Sequence, residues 1–547
     1  MNIAEDFLRR LEEQGEQVVL DTPRGQTSTA AALVRHIAVM RARLAAAGLA
    51  PGDRVVLQVP NGPLFVVALV AVLAQGGVPI LCEPGLGDDV YGRCLVAAAP
   101  RWVIVHPLLL ALDRAPWLRR WLRRREIFVP PVSKVEGEHD HPAGQSPAGA
   151  GAGRIVLSGR SLRRGTAGAL GQPVDVSPEA DAVIVFTGGT TDAPKGVRLS
   201  HAALARYFTL VGDLVKDLPI TRLLADTPPQ VLYALYHGRR ACVSRGRLRK
   251  RAAFLGRAIA EGRVDAYFGS PYVWMYLVRE RLKVGERLPR SLRVVLMGGA
   301  PVTPDFLRLL QDRLHPETII WCLYGATETG PVCSVTCAEK LAWRGAGDLV
   351  GMPLPGVKVW LEDEGEDGVG ELMVETPAAF SGYLNEATPA AGVHHTGDLA
   401  MLVEQAGQQR IVLAGRKKDM IIREGINIYP GLFEPLLAAL RDEEDLPVFE
   451  QCALAGIWDA EAQDEKVAFC YVPNRADFTL SDAVRRRIAA ITGPAAAPDF
   501  YVAFDAFPVT GRQNKLDKQA LRTLAAYRLG SLKQPVVAVG DQGQGAP

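Results

Sequence analysis

The sequence is poor in the features that mark zinc-clustered, membrane-spanning or secreted proteins. Its eight cysteines are scattered without a CxxC pair, so no structural zinc site is indicated and reduced thiols are the simplest expectation. The apolar stretch 64–81 is interrupted by Gln75-Gly76-Gly77, which leaves it too broken to span a membrane. Residues 1–6 lack the basic and apolar pattern of a signal peptide. We therefore expect a cytoplasmic protein.

Charge and length narrow the possibilities further. The formal net charge of +2 argues against a general nucleic-acid binder, and we expect no nucleic-acid partner. The 547 residues exceed what one hydrophobic core usually holds, so two or more domains are expected. Near the N-terminus, predicted strands at 53–59 and 78–81 flank a predicted helix at 63–74. This order predicts an α/β sheet with crossover helices.

Composition divides the rest of the chain. Residues 131–153 include a Gly/Ala/Pro-rich run, which predicts a flexible insertion. The basic stretch from Trp117 to Arg125 is either a solvated helix or a weak contact patch for a membrane surface or an acidic carrier protein. A second basic run ends at Arg251 and predicts the solvated start of a helix.

Short strands alternate with turns from about residue 345. A polar break at 415–419 then precedes an alternation of helix and strand of ordinary domain size. We predict an N-terminal domain at 1–414, a C-terminal domain at 415–530 and a disordered tail at 531–547.

A polar loop follows the apolar run 181–185. It reads Thr187-Gly188-Gly189-Thr190-Thr191-Asp192-Ala193-Pro194-Lys195. Glycines let backbone N–H groups approach a ligand closely, while threonine hydroxyls and a lysine add donors and positive charge. The composition of the loop indicates a polyphosphate site. The loop does not match the Walker pattern, because Lys195 is followed by a glycine where that pattern has serine or threonine.

Three further segments carry groups that nucleotide chemistry uses. The first, Tyr324-Gly325-Ala326-Thr327-Glu328-Thr329-Gly330, offers an aromatic face for a purine and a carboxylate for Mg²⁺. The second places Asp398 after a glycine turn, where it can accept hydrogen bonds from ribose hydroxyls. The third holds Lys515 in a loop near the C-terminus.

Taken in this order, the segments resemble the adenylate-forming superfamily of acyl-CoA synthetases, peptide-synthetase adenylation domains and luciferases. The resemblance spans about residues 25–525. It implies an α/β fold with a large N-terminal domain of two α/β subdomains plus a small β-barrel-like part, and a small mobile α+β C-terminal domain.

The resemblance also implies a role for each matching residue. The β- and γ-phosphates would be held by Thr187, Gly188, Gly189, Thr190, Thr191 and Lys195. Adenine and ribose would be held by Gly298, Gly299, Ala300, Pro301, Tyr324, Asp398 and Arg416. Thr327 would contact the α-phosphate, Glu328 would bind Mg²⁺, and Lys515 would neutralise charge as the acyl-adenylate forms. Lys418 would be the hinge, and Gly425 would line the thiol channel.

The implied reaction has two steps, with ATP, Mg²⁺ and CoA as the expected cofactors and co-substrate. A small-molecule carboxylic acid, expected to be a fatty acid, attacks ATP and gives acyl-AMP, which then passes to CoA or an acyl carrier protein. The segments 82–87, 268–271 and 512–515 resemble instead the β-lactone synthetases of olefin biosynthesis, in which the substrate's own 3-hydroxyl attacks. The thiol pathway is our leading interpretation and β-lactone formation the alternative. Asp192, at a position where glycine is usual, motivates a third alternative, a nucleotide-binding regulator without catalysis.

Overall fold

The computed structural model describes residues 2–22, 25–82, 88–113, 153–164, 170–187, 195–244, 248–283, 285–386, 392–405, 407–442, 446–459, 461–475, 478–510 and 515–530. For Thr187 and Lys515 the backbone alone is described. The predictions for the basic stretch 117–125, for nearly all of the insertion at 131–153 and for the tail at 531–547 lie outside these residues.

One sheet of the N-terminal region has seven strands, of which the five at one side run parallel. Buried strands such as Asp181–Thr187 are almost continuously apolar, as expected where helices cover both faces of a parallel sheet. In spatial order the strands are Gly382–Tyr383, Lys195–Ser200, Asp181–Thr187, Val78–Cys82, Arg54–Gln58, Trp102–Val105 and Gly153–Val156. The strand Lys195–Ser200 runs antiparallel to both of its neighbours, Gly382–Tyr383 and Asp181–Thr187.

The second sheet has thirteen strands and changes character at Ile319–Ala326. That strand has a parallel neighbour on one side and an antiparallel neighbour on the other. The antiparallel side corresponds to the β-rich part predicted from the sequence. In spatial order the strands are Lys358–Glu362, Gly370–Glu375, Val393–Gln405, Gln408–Arg416, Asp348–Pro353, Gly330–Thr336, Ile319–Ala326, Val294–Gly298, Ala266–Gly269, Arg222–Ala225, Arg240–Val243, Val18–Asp21 and Thr27–Thr29.

The largest core cluster lies between these two sheets. It joins Val183 of the first sheet, Leu223 of the second and the helix Pro63–Ala74, which is apolar all round and therefore fits a fully buried position. The described helices are Ala4–Gln14, Ala30–Ala47, Pro63–Ala74, Asp88–Ala98, Pro107–Asp113, Gly159–Arg164, His201–Leu214, Pro228–Tyr236, Leu248–Ala260, Pro271–Glu280, Pro304–Arg313, Cys337–Ala342, Pro430–Ala438, Asp482–Ala496 and Lys518–Arg528. None of them combines the length and the apolarity needed to cross a membrane.

The C-terminal region forms small sheets of its own. These are Phe449–Asp459 with Asp464–Pro473 and Phe500–Ala503, Ile421–Arg423 with Ile426–Ile428, and Val509–Thr510 with Lys515–Leu516. The helix Pro430–Ala438 ties this region to the thirteen-stranded sheet, because the Gly347 N–H donates to the Leu432 carbonyl at 3.2 Å. Arg441 and Asp305 add an ion pair of 2.5 Å between the two regions.

The predicted α/β fold class is confirmed, whereas the domain boundaries and the mobility of the C-terminal domain stay predictions. The predicted helix at 63–74 and the strand at 78–81 agree with the structure to within one residue. The expectation of a solvated Arg251 is wrong. This side chain is 4% exposed and forms an ion pair with Asp226 at 2.9 Å, which provides the partner that a buried guanidinium needs.

Candidate active site

The predicted phosphate loop closes an antiparallel hairpin at the edge of the seven-stranded sheet. Thr187 and Lys195 are paired across the strands Asp181–Thr187 and Lys195–Ser200. The hairpin therefore fixes both ends of the loop. Its residues Gly188, Gly189, Thr190, Thr191 and Asp192 lie outside the described part of the chain.

Lys195 belongs to a chain of contacts that links the two sheets. Its ammonium lies 4.4 Å from the centre of the Tyr383 ring, within the range of a cation–π contact. The Tyr383 hydroxyl donates to Glu328 Oε1 at 3.1 Å. Burial, reinforced by the charge of Glu328, raises the pKa of Tyr383 above its usual value of 10.0. The phenol therefore stays protonated and can donate to the carboxylate.

Glu328 is presented by a tight hairpin turn between Ile319–Ala326 and Gly330–Thr336. The turn closes on Gly330, whose φ of 64° favours glycine. The Thr329 hydroxyl accepts the Ala326 N–H at 3.1 Å and so satisfies the backbone within the turn. The Phe380 N–H donates to the Glu328 carbonyl at 2.8 Å. These bonds fix the backbone on which Thr327 and Glu328 stand.

A second cluster is formed around Tyr324, which lies on the strand leading into this turn, four positions before Glu328. The Tyr324 hydroxyl donates to Asp398 Oδ2 at 2.5 Å, and Arg416 Nε lies 2.7 Å from Asp398 Oδ1. Burial and the neighbouring carboxylate raise the pKa of Tyr324 well above 10.0. Tyr324, Asp398 and Arg416, which were predicted to bind adenine and ribose, are therefore in direct contact.

Pairing between two long strands sets the position of Asp398. Asp398 is directly opposite Arg416 in the antiparallel ladder, so their side chains lie on one face of the sheet. The Thr396 hydroxyl accepts the Asp398 N–H at 3.0 Å and donates to the Leu372 carbonyl at 2.8 Å. The glycine turn predicted before Asp398 is not found, because Gly397 lies within the strand Val393–Gln405. Its φ of 66° falls where the pairing with Gly370–Glu375 shifts register.

The segment from Gly298 to Pro301, predicted to line the adenine, begins at the last residue of the strand Val294–Gly298. Gly298 is paired with Leu323, the residue before Tyr324. A Cβ at Gly298 would lie 3.1 Å from the Leu323 carbonyl oxygen, closer than real Cβ contacts normally come. Gly299 follows with a φ of 78°, and Ala300 and Pro301 continue into a loop. Close packing of the two strands thus explains why a glycine stands at position 298, next to the strand that carries Tyr324.

The remaining predicted residues lie in the C-terminal region. Lys418 is exposed in the 3-10 turn Lys417–Asp419. Gly425 forms a two-residue hairpin loop with Glu424, and both have positive φ, at 75° and 53°. Lys515 pairs through its backbone with Thr510. The charge-neutralising role of Lys515 during formation of the acyl-adenylate stays a prediction.

Comparison with known proteins supplies the family. Residues 7–384 match the AMP-binding enzyme family, which covers more than half of the chain. The chain belongs to the AMP-binding enzyme family. The resemblance inferred from the motifs is confirmed, and the protein is an AMP-forming ligase.

Individual relatives of this AMP-binding enzyme are named for different reactions. An olefin β-lactone synthetase of Stenotrophomonas maltophilia is 28% identical, with 90% of each chain covered. A CoA ligase of Mycobacterium tuberculosis that acts on a methyl-dioxo-octahydro-indenyl propanoyl group is 30% identical over 74% of this chain and 78% of the relative. The structure of ATP-bound MatB from Rhodopseudomonas palustris has a TM-score of 0.76 at 21% identity, covering 97% of this chain and all of that one.

The sequence analysis missed Tyr383, which joins Lys195 to Glu328 in this AMP-binding enzyme. Its strand, Gly382–Tyr383, has only two residues and pairs with Lys195–Ser200. An aromatic residue after a glycine, in a segment between predicted strands, was the available signal. That signal is weak on its own because such residues are common in turns.

Proposed function

We propose that this enzyme activates an aliphatic carboxylic acid with Mg·ATP to form acyl-AMP and pyrophosphate. Thr187, Lys195 and the loop between them would hold the β- and γ-phosphates. Tyr324, Asp398 and Arg416 would hold the nucleoside. Thr327 would contact the α-phosphate, Lys515 would neutralise charge at the reacting carboxylate, and the loop from Gly298 to Pro301 would cover the adenine.

The observation that carries this proposal is the contact chain from Lys195 through Tyr383 to Glu328. It brings the Lys195 cation to the ring of Tyr383 and the half-buried carboxylate of Glu328 to the hydroxyl of the same side chain. A polyphosphate bound with a divalent cation needs this combination of charges in one place.

The donor set near Glu328 fits Mg²⁺. Carboxylate and hydroxyl oxygens are the ligands that this hard cation prefers, and it usually takes only one or two carboxylates from the protein besides phosphates. Glu328 would be the protein ligand, with the hydroxyl of Thr327 beside it in the turn. Bound Mg²⁺ would neutralise charge on the phosphates during adenylation.

Pyrophosphate release with a panel of carboxylic acids tests the first step. Glu328→Gln is expected to lower the rate and to weaken the response to Mg²⁺. Glu317→Gln, at an exposed ion pair of 2.7 Å with Arg290, is the matched control and should behave as the unaltered enzyme. ATP binding without pyrophosphate release for any acid would favour the nucleotide-binding regulator instead.

For the second step we infer intramolecular attack by a 3-hydroxyl group of the substrate. The hydroxyl oxygen would attack the acyl carbon, its proton would leave, and AMP would depart as a four-membered lactone closes. Two observations support this choice. The similarity to the β-lactone synthetase extends over 90% of both chains, and the carboxylates of Glu424 and Asp464 lie beside the turn at Gly425.

Charge near Gly425 is unfavourable for an anionic thiol such as CoA. The Glu424 N–H donates to Asp464 Oδ2 at 2.8 Å, so the two carboxylates flank the turn. Arg423, the nearest cation in the hairpin, pairs with Asp499 at 3.3 Å. Like charges would repel the phosphates of CoA, and this effect would weaken with added salt.

Thiol transfer remains the second candidate because the turn at Gly425 itself favours it. A Cβ at Gly425 would meet no atom within 4 Å, so the space above the turn is open. A slender thiol arm could pass there without rearrangement of the described side chains.

Product analysis separates the two candidates. We would incubate the enzyme with ATP, Mg²⁺ and either a 3-hydroxy fatty acid or the matched acid without the hydroxyl, with and without CoA. Lactone formation predicts a product with the mass of the hydroxy acid minus one water, formed without CoA. A thioester from both acids, formed only with CoA, would contradict the proposed second step while leaving the first intact.

A further inference from the structure

Three potential metal ligands converge on the β-rich side of the thirteen-stranded sheet. Glu362 and Glu371 are directly opposite each other on neighbouring strands. His395, on the next strand, is opposite Met373, two residues beyond Glu371. Since alternate residues of a strand share one face, all three side chains project from the same side of the sheet. One ligand atom from each lies within 4.8 Å of the other two.

The spacing of these atoms suits a small cation. His395 Nδ1 lies 3.3 Å from Glu362 Oε2 and 3.8 Å from Glu371 Oε1. Two ligands bound to zinc at about 2.0–2.1 Å and at a tetrahedral angle are roughly 3.4 Å apart. Both distances from His395 therefore lie within about half an ångström of the spacing that two ligands of one Zn²⁺ would have. Imidazole nitrogen and carboxylate oxygen both bind zinc, and a set of three protein ligands leaves a fourth position for water.

The excess of negative charge around these residues also favours binding of a cation. Like charges directly opposite each other on adjacent strands destabilise a sheet, and Asp363 adds a third carboxylate beside Glu362 and Glu371. Lys417 is the ammonium that faces them, at 2.7 Å from Glu371 Oε2 and 3.8 Å from Asp363 Oδ2. Among the residues that the structure describes, three carboxylates thus face one ammonium, and a divalent cation would neutralise the two remaining negative charges.

We propose that Glu362, Glu371 and His395 bind a divalent transition metal, with Zn²⁺ as the representative ion. Glu371 is the pivotal ligand because it is 8% exposed and already oriented. Its Oε1 accepts the Gly397 N–H at 3.2 Å, and its Oε2 holds Lys417. Metal binding at Oε1 would weaken the hold on Lys417 and thereby loosen the turn Lys417–Asp419 from the sheet.

Zinc titration of the nucleotide-free protein in saturating Mg²⁺ tests the site. We expect one Zn²⁺ per chain, with affinity lowered at least about tenfold in His395→Gln and in Glu362→Gln. Co²⁺ in place of Zn²⁺ should give visible ligand-field bands without the charge-transfer band of a cysteine ligand. Unchanged zinc affinity in both variants, or a thiolate band, would overturn the proposal.

Lys417 provides a test that a merely acidic surface would fail. Lys417→Gln removes the competing ammonium and should tighten zinc binding about fivefold, the effect of a partly exposed ion pair. Lys358→Gln is the matched control, because Lys358 pairs with Glu375 at 2.8 Å on the same strands. Equal affinities in the two lysine variants would refute competition at Glu371.

Amide exchange reports the predicted effect on the turn. Zinc should speed exchange across residues 417–420 in the unaltered protein and in Lys358→Gln, and should leave it unchanged in His395→Gln. Slower or unchanged exchange in the unaltered protein would contradict the loosening of the turn.

Discussion

Tyr383 makes two contacts that can be removed one at a time. Tyr383→Phe keeps the ring beneath Lys195 and removes the hydroxyl that donates to Glu328 at 3.1 Å. Tyr383→Leu removes the ring as well. Comparison of the two variants therefore separates the hydrogen bond to the carboxylate from the cation–π contact.

The magnitudes follow from the structure. A hydrogen bond to a charged group contributes about 1.5–3 kcal/mol, and the half-buried setting of Tyr383 places it at the lower end. We expect Tyr383→Phe to slow pyrophosphate release by about tenfold, since about 1.4 kcal/mol corresponds to a factor of ten. A cation–π contact at a partly exposed site adds about 0.5–1 kcal/mol. Tyr383→Leu should then be slower by a further factor of about two to five.

The assay is pyrophosphate release at saturating acid, measured over a range of Mg²⁺ concentrations. Because Tyr383 contacts the proposed Mg²⁺ ligand, we expect Tyr383→Phe to shift the Mg²⁺ dependence. Urea unfolding should show that both variants remain folded.

The matched control is Tyr501, whose ring lies 4.5 Å from the Arg485 guanidinium carbon in the C-terminal region. Tyr501→Phe and Tyr501→Leu should leave the Mg²⁺ dependence unchanged. The reasoning would be refuted if Tyr383→Phe matched the unaltered enzyme within twofold at every Mg²⁺ concentration. It would also be refuted if the Tyr501 variants shifted the dependence equally.

Three further predictions concern single residues. Asp398→Asn should raise the KM for ATP by about tenfold in steady-state kinetics, because it weakens charge-assisted hydrogen bonds from Tyr324 and Arg416; an unchanged KM would exclude Asp398 from nucleotide binding. Lys515→Ala should slow pyrophosphate release by about 10²–10³-fold, and normal release with only the second step blocked would show that its role is misassigned. Burial lowers the pKa of His201 from 6.5 to about 4. Stability carried by the neutral imidazole is therefore present above pH 6.5 and should fall by about 3 kcal/mol towards pH 4. Urea unfolding should show this loss in the unaltered protein and a smaller one in His201→Gln; equal losses would contradict it.

Much of the fold could be predicted because the local sequence pattern of a segment favours the same helix or strand that its position in the folded protein requires. The helix Pro63–Ala74 begins at a proline that fits the first helical turn, and it ends before two glycines. The strand containing Tyr324 was harder to delimit. It continues to Ala326 because the strand after the turn pairs with it through Gly330. Pairing between strands is a property of two segments, so the single segment did not reveal it.

The burial of Arg251 and the contacts of Tyr383 could not be predicted from the sequence for a similar reason. A basic run ordinarily predicts a solvated surface, and Arg251 departs from this only because Asp226, 25 positions earlier, supplies a buried partner. Tyr383 is 55 positions from Glu328 in the sequence. In both cases the decisive partner is distant along the chain, and nothing in the flanking residues identifies it.

The segment around Tyr383 also explains how one site is assembled from two sheets. Lys195 begins the strand next to the edge strand of the seven-stranded sheet, and Glu328 lies on a turn of the thirteen-stranded sheet. The Leu384 N–H donates to the Gly196 carbonyl at 2.7 Å, while the Phe380 N–H donates to the Glu328 carbonyl at 2.8 Å. Five consecutive residues therefore tie the phosphate loop to the carboxylate turn through backbone bonds. Because backbone bonds do not depend on side-chain identity, this connection can keep the distance between Lys195 and Glu328 constant when other side chains of the segment are changed.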